Sequence, residues 1–406
     1  SLSEAITLAL KQHPLLVAAR QRIEAARGKR VSAKALPNPS LAFVPLGTIA
    51  DNPLLLEQTI ELPSKRSFRV KASENEFAAT FTDYRAAELE VTFAVKVAYI
   101  DLQAALAIQR LTEEAIELTN TLHDLAQKQY AIGAVTFVHV SRMDIERQRM
   151  EQELVRAQSE VIVKQVALNL ALGQDPSTPI LPADELSYQP LTVSLEELKE
   201  LAMKQRPEIS AAQSRLFAQR FVVKSAQAQR LPDFFLLTRF GESERALRFN
   251  SPRFGIGITL PFFDFGRIRG EVQAAKAQVA EQEALLEQTK RVILAEVETA
   301  VKKLTAALTV VEEYRQRIVP TAEDLLKRMQ AAYAEGGSTL LEVIDAQQTW
   351  RIVRKEFVEA IANYQKALAT LEKAIGYSIS SSNVPSGSEK GGVTNGRSFH
   401  VGKSQG

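Results

Sequence analysis

The sequence predicts a mainly α protein with a small β part: two long helical hairpins, each carrying a pair of short strands at one end. Three observations predict it. An ordered series of matches shows one unit written twice. A seven-residue apolar period runs unbroken through a long segment of each half, and short stretches of period-two alternation precede those segments.

The duplication begins at residue 1. Ser1-Leu2-Ser3-Glu4 and Lys11-Gln12-His13-Pro14 are echoed by Ser194-Leu195-Glu196-Glu197 and Lys204-Gln205-Arg206-Pro207; Tyr130 to Gly133 is echoed by Tyr333 to Gly336, and Leu172-Gly173 by Ile375-Gly376. The offset grows from 193 residues (Ser1 to Ser194) to 203 (Tyr130 to Tyr333), so the second copy is slightly longer. The expected organisation is a first repeat over 1–173, a connector over 174–193, a second repeat over 194–376 and a tail over 377–406. Pro176, Pro179, Pro182 and Pro190 rule out a long helix in the connector. The tail, rich in Ser, Gly and Asn, has too little apolar surface to order itself.

Each repeat is expected to open with one helix, over 3–35 and 195–229, stopped at Leu36-Pro37 and Leu231-Pro232. Strands follow. Phe254, Ile256, Ile258 and Leu260 alternate with Arg253, Gly255, Gly257 and Thr259; Leu54, Leu56, Gln58, Ile60 and Leu62 alternate with Leu55, Glu57, Thr59 and Glu61. Their partners are expected over 40–46 and 234–240, joined as hairpins through 48–53 and 241–252. After Pro63 and Pro261 come the long helices. Val70, Phe77, Tyr84, Val91, Ala98 and Ala105 recur every seven residues, as do Val272, Val279, Leu286, Ile293, Ala300 and Ala307. That period means helices winding left-handedly on neighbours. The first, over 64–131, would span about 100 Å; Pro320 is expected to kink the second. Gly turns at 133 and 336–337 then send a shorter helix back. Opening and return helices of about 50 and 54 Å together match one long helix. The expected shape is a hairpin rod with four strands at one end.

Composition narrows the chemistry. With 50 Lys+Arg against 48 Asp+Glu the net charge is +2, which speaks against a nucleic-acid partner. There is no Cys, and His13, His123, His139 and His400 are scattered, so no metal site or cofactor is expected. No Gly-rich phosphate loop and no catalytic constellation emerges, so no enzyme is expected. No stretch of about 18 or more apolar residues is read in the sequence, so no transmembrane helix is expected, but barrel strands evade such a scan. No signal peptide stands at Ser1, as in a chain that begins after processing.

Four strands cannot close a barrel, and an open sheet leaves two unpaired edges, which lipid forbids. Several copies pooling their strands would solve this. The alternative is a soluble coiled-coil scaffold whose hairpins lie on a helix. Apolar residues on the outward strand face, as Phe254, Ile256, Ile258 and Leu260 provide, favour the barrel.

The run from Ala332 to Gln347, Ala-Tyr333-Ala-Glu-Gly336-Gly337-Ser338-Thr339-Leu-Leu-Glu342-Val-Ile-Asp345-Ala-Gln, closely resembles the tip motif of the TolC-type outer-membrane efflux proteins. Thr259-Leu260-Pro261-Phe262-Phe263-Asp264-Phe265-Gly266-Arg267-Ile268-Arg269 resembles that family's strand-to-helix passage. The resemblance covers 1–376. It implies a homotrimer with a twelve-stranded outer-membrane barrel and a periplasmic helical tunnel. It also implies a periplasmic adaptor and an inner-membrane pump, of RND type, as partners. Glu61-Leu62-Pro63-Ser64-Lys65-Arg66 resembles the Glu-Leu-Pro-Gly-Lys-Arg stretch of the heavy-metal (cobalt–zinc–cadmium) branch, with Ser64 in place of Gly. Metal ions are therefore the first substrate expectation, other small toxic molecules the second and proteins of a type I secretion system the third.

For the site, the resemblance implies that Glu342 and Asp345, three apart on one helix face, line the constricted periplasmic end. Rings of carboxylates there favour cations; a solvated helix face is the plain alternative. Tyr333 matches a tyrosine that holds the entrance closed, though Tyr130 in the same place argues for simple packing. His139 occupies the first-half position of Glu342 and offers pH sensitivity, or no special role. Ser338 stands near the family's basic gate residue and cannot form its salt bridge. Gly133, Ala134 and Thr136, with Gly336, Gly337, Ser338 and Thr339, are the expected adaptor-docking tips. Phe262, Phe263 and Phe265 are expected either at the membrane interface or packed beneath the barrel.

Overall fold

Where His13-Pro14 and Arg206-Pro207 interrupt the opening helices, the chain breaks, so each expected opening helix is two. The computed structural model describes residues 1–43, 54–191, 194–240, 253–261 and 264–379. The first half runs α1 (Leu2–Gln12), α2 (Pro14–Lys34), β1 (Ser40–Phe43), β2 (Leu54–Ile60), α3 (Pro63–Ala131) and α4 (Phe137–Leu172). The second runs α5 (Leu195–Gln205), α6 (Pro207–Ala228), β3 (Phe234–Phe240), β4 (Arg253–Ile258), α7 (Arg267–Glu313), α8 (Val319–Ala334) and α9 (Leu340–Ile375). Pro14 and Pro207 start α2 and α6 because proline's missing N–H costs nothing in a first turn. The hairpin connections at 48–53 and 241–252, Phe262 and Phe263, and the tail from 380 lie outside the described residues.

The breaks have a second cause. Gly173 and Gly376 end α4 and α9 in the left-handed conformation, at φ 69° and 71°. A Cβ on Gly173 would stand 2.7 Å from Pro14 Cδ and 2.9 Å from His13 Cα; one on Gly376 would stand 3.3 Å from the Gln205 carbonyl oxygen. Each return helix thus ends against the break in its own half's opening helix. Buried Arg206 reinforces the second joint, donating from Nη1 to the Lys373 and Ala374 carbonyls at 2.9 and 3.2 Å.

The 69-residue α3 is the spine, about 100 Å long at 1.5 Å per residue. It contacts α2, α6, α4 and α9. Nearer the sheet the helices lie in the order α2, α3, α6, α7; lower down, α4, α3 and α9 lie side by side, with α8 against α9. Among the described residues one helix, α3, is by length and composition apolar enough to cross a membrane, its best window having a mean hydropathy of 1.6. This corrects the expectation that no such segment exists. Lys96 and Asp101 of α3 are paired across to α9, Lys96 with Glu372 at 2.6 Å and Asp101 with Lys366 at 3.0 Å. Pro320 stands in the first turn of α8, and a π-helical turn over Tyr314–Ile318 precedes it, where the lost hydrogen bond is absorbed. The segment between α4 and α5 packs on α3 and α9, where the Tyr364 hydroxyl donates to the Gln189 carbonyl at 2.7 Å and Gln103 to the Asp184 carbonyl at 2.8 Å.

The two hairpins join into one antiparallel sheet, order β1-β2-β3-β4, with Ile60 opposite Phe234 and Leu54 opposite Phe240. Register places Leu41, Leu56, Ile60, Phe234, Leu236, Phe254, Ile256 and Ile258 on one face. That face is largely exposed, Ile256 at 82%. The opposite face is mixed: Ser40, Ala42, Glu57, Thr59, Arg239, Gly255 and Gly257 share it with Leu55, Phe235 and Leu237. Here Gly257 is needed, since the Phe235 ring lies where its Cβ would be.

Candidate functional site at the helix tips

Four helix ends meet at the far end of the rod. Leu122 and Ala126 of α3, Met143 of α4, Tyr333 of α8, and Leu340, Val343 and Ile344 of α9 form one buried cluster. Both tip turns use the same device. Gly133 and Gly336 take φ 75° and 76°, and the following amides reach back, Ala134 N–H to the Gln129 carbonyl at 2.9 Å and Gly337 N–H to the Ala332 carbonyl at 2.7 Å.

The residue after each turn caps the return helix, and here the expected site residues acquire local partners. Thr339 and Glu342 form a reciprocal capping box. The Glu342 carboxylate accepts from the Thr339 N–H at 2.7 Å and from its hydroxyl at 3.0 Å, and the Thr339 hydroxyl accepts from the Glu342 N–H at 3.3 Å. In the first half Thr136 Oγ1 lies 3.2 Å from His139 Nδ1, the same N-cap and third-residue positions of α4. Asp345 is exposed one turn on. Ser338 is tied back to the Met329 carbonyl at 3.2 Å. Tyr333 is 5% exposed and donates to Gln129 Oε1 at 2.7 Å across α8 and α3. Burial raises its phenol pKa. Tyr130 behaves differently: it is half exposed, its ring 5.9 Å from that of Phe137.

The Thr339 N–H holds the Glu342 carboxyl below its ordinary value. A depressed carboxyl contributes stability above its unfolded-state pKa and loses it as pH falls through the folded value. The first turn of α9 is therefore expected to fray below about pH 4, read as faster amide exchange at Val343 at pH 3 than the intrinsic pH trend gives. Unchanged relative protection would remove the box.

A polar ladder above the tips was not foreseen. Buried Gln347 donates to Thr119 Oγ1 at 2.7 Å and the Ala115 carbonyl at 3.2 Å, linking α9 to α3. Buried His123 on α3 reaches Asp144 on α4 at 3.1 Å, Gln348 donates to Glu146 at 3.2 Å, and Arg351 pairs with Glu153. The available signal was a Gln at an apolar α9 position.

A helical rod with an exposed apolar sheet at one end and capped turns at the other has known counterparts. The family model for outer membrane efflux proteins matches residues 5–174 and 198–377. The chain belongs to the outer membrane efflux protein family. The cobalt-zinc-cadmium resistance protein CzcC of Cupriavidus metallidurans is 24% identical over 395 residues, covering 93% of this chain and 90% of CzcC. Outer membrane protein OprJ of Pseudomonas aeruginosa is 26% identical over 337 residues, 79% of this chain and 68% of OprJ. The structure of outer membrane protein VceC of Vibrio cholerae superposes with a TM-score of 0.75 at 23% identity, covering 93% and 96% of the two chains. As an outer membrane efflux protein the chain sets its sheet in the outer membrane and its helical rod in the periplasm, and it serves export as a duct. The exposed apolar face of β1–β4 is thereby the lipid-facing one.

Proposed function

We propose that three copies close into one duct, which receives metal ions from an inner-membrane pump of RND type through a periplasmic adaptor. One observation carries the closure. Within one chain both flanks are unpartnered among the described residues: β1 and β4 are sheet edges, and α4 on one side and α7 on the other expose apolar residues, among them Ile145, Val155 and Ile162 against Leu285, Val292 and Val310. Two different flanks make a heterologous contact, which gives a ring when the rotation between copies closes; three copies so arranged would bring twelve strands and remove every edge. The soluble scaffold leaves the apolar sheet face in water.

In this reading residues 1–173 and 194–376 are the two repeats joined by 174–193, and the turns at Gly133, Ala134, Thr136 and Gly336 to Thr339 receive the adaptor. Glu342, Asp345, Tyr333 and His139 border the aperture. Asp345 is its principal carboxylate, because Glu342 is held in its capping box; Tyr333 keeps α8 against α3; and His139 holds the equivalent cap position in the first half. Similarity to CzcC along nearly the whole chain, with the Glu61-Leu62-Pro63-Ser64-Lys65-Arg66 stretch, supports the metal substrate.

Single-channel recording in a planar bilayer under a salt gradient tests the aperture. The detergent-purified protein is expected to conduct with cation preference. Asp345→Asn is expected to lower the cation-to-anion permeability ratio at least twofold and Glu342→Gln less. A ratio indifferent to both changes discards the acidic aperture and keeps the duct; a protein soluble without detergent that never inserts discards the duct.

A further inference from the structure

Beneath the four strands lie four helix ends, and they carry an unusual charge. Lys34 ends α2, Arg66 sits in the first turn of α3, Lys224 and Arg230 stand at the end of α6, and Arg267 and Arg269 open α7; all six are exposed. Among the described residues, the carboxylates at this level are already committed. Glu61 accepts the Arg69 fork at 2.6 and 2.9 Å, Asp233 accepts buried Lys65 at 2.8 Å, and Asp264 caps the start of α7 through the Gly266 and Ile268 N–H groups at 3.3 and 2.8 Å. Glu74 and Glu271 approach Lys34 and Arg267 at 3.7 and 2.7 Å as exposed pairs, which leave the local excess of positive charge in place. The chain as a whole is only +2, and the opposite end offers Glu335, Glu342 and Asp345. The positive charge is a local collar.

One aromatic interrupts the collar. Phe265 is held at φ 49° between Asp264 and Gly266, itself at φ 93°, and is 99% exposed. A bulky residue in the left-handed region is strained, and burial does not offset that strain here. From the sheet downward the exposed surface passes from Phe254, Ile256 and Ile258 to Phe265 and then to the cations. That is the order of hydrocarbon, interface and headgroup, with an aromatic at the boundary.

We propose that this collar is a binding surface for anionic phospholipid headgroups of the periplasmic leaflet, with Phe265 seated at the boundary as its anchor. It rests on the outer-membrane location alone and is independent of the exported substrate. Cations near an anionic bilayer each contribute on the order of a fivefold preference, and because the sites are exposed the preference falls with salt.

The test uses the full chain, purified in detergent with equal amounts of phosphatidylglycerol and phosphatidylcholine, with retained lipid measured by mass spectrometry. The wild-type protein is expected to retain phosphatidylglycerol at least fivefold over phosphatidylcholine at low salt, with the preference collapsing in about 0.5 M NaCl. The triple variant Arg66→Gln, Arg230→Gln, Arg269→Gln is expected to bring the ratio to near one, while the corresponding Lys triple keeps it. Phe265→Ala is expected to lower retention of both lipids at an unchanged ratio. Millimolar inorganic phosphate is expected to leave retention intact; if phosphate displaces the lipid, the collar is an anion site and the lipid assignment fails. A wild-type ratio near one, or a ratio unmoved by salt and by the Gln triple, overturns the proposal. So does a Gln triple that leaves the lipid ratio alone and shifts the bilayer reversal potential, because the cations then face the lumen.

Discussion

Gly173→Ala is expected to be among the most damaging single-methyl additions in the rod. Two costs combine. A non-Gly residue in the left-handed conformation costs about 1–2 kcal/mol, and the new Cβ would stand 2.7 Å from Pro14 Cδ and 2.9 Å from the His13 Cα. Neither neighbour can swing away, since Pro14 is a ring starting α2 and the other contact is backbone. Overpacking of that kind adds roughly 1–3 kcal/mol, so a total near 3 kcal/mol is expected. Gly133→Ala is the internal control: its φ is also positive at 75°, but nothing lies within 4 Å of its Cβ, so only the conformational cost of about 1–2 kcal/mol remains. The thermal midpoint of the helical circular dichroism signal in detergent checks both. Equal shifts for the two variants would mean that the α4 end and the His13-Pro14 break do not bear on each other.

That joint also shows where sequence reasoning stops. Leu172-Gly173 and Ile375-Gly376 were visible as matched repeat positions, and their role as helix ends follows from sequence. That each glycine abuts the break in its own opening helix, some 160 residues upstream, depends on tertiary contact and leaves no local trace. The breaks themselves were legible: Pro14 and Pro207 are start signals in a first turn, and reading one helix over 3–35 overlooked them. The long α3 and the two strand pairs emerged correctly because periods of seven and two reflect burial directly. At the tips, Thr339-x-x-Glu342 is a capping-box signature that the expectation of an aperture carboxylate obscured. Gln347 could not be read as a cross-link, because its partner Thr119 lies on α3, in the other half of the chain.

The stretch from Glu61 to Arg69 shows what such non-local contacts hold together. Its charges are a splice between sheet and rod. The Arg69 fork takes Glu61, and its Nε and Nη2 donate to the Ala33 and Ala35 carbonyls at 3.0 and 3.1 Å; Arg66 donates to the Lys34 carbonyl at 2.9 Å. Together they satisfy the last carbonyls of α2, which would otherwise end without partners. Lys65 ties this corner to the second half, reaching Asp233 at 2.8 Å with its side chain only 4% exposed. Asp233 is in turn fixed to the end of the hairpin, its N–H donating to Thr259 Oγ1 and its carbonyl accepting the Thr259 N–H, both at 2.8 Å.

Removing one partner of such a pair strands the other charge, at a cost of about 3–5 kcal/mol when fully buried. Asp233 keeps a quarter of its side chain exposed, which places Lys65→Met near the lower figure. Lys65→Met with Asp233→Asn is expected to recover at least half the loss, because no lone charge remains. Lys34→Met, which breaks an exposed pair at 3.7 Å, is expected to cost under about 1 kcal/mol. Denaturant titration of the full chain in detergent separates the three. If Lys65→Met costs no more than Lys34→Met, the two halves are held at this corner by the β2–β3 ladder alone. If the double variant falls as far as the single, the loss lies in the packing of the Lys65 stem and the charges merely accompany it.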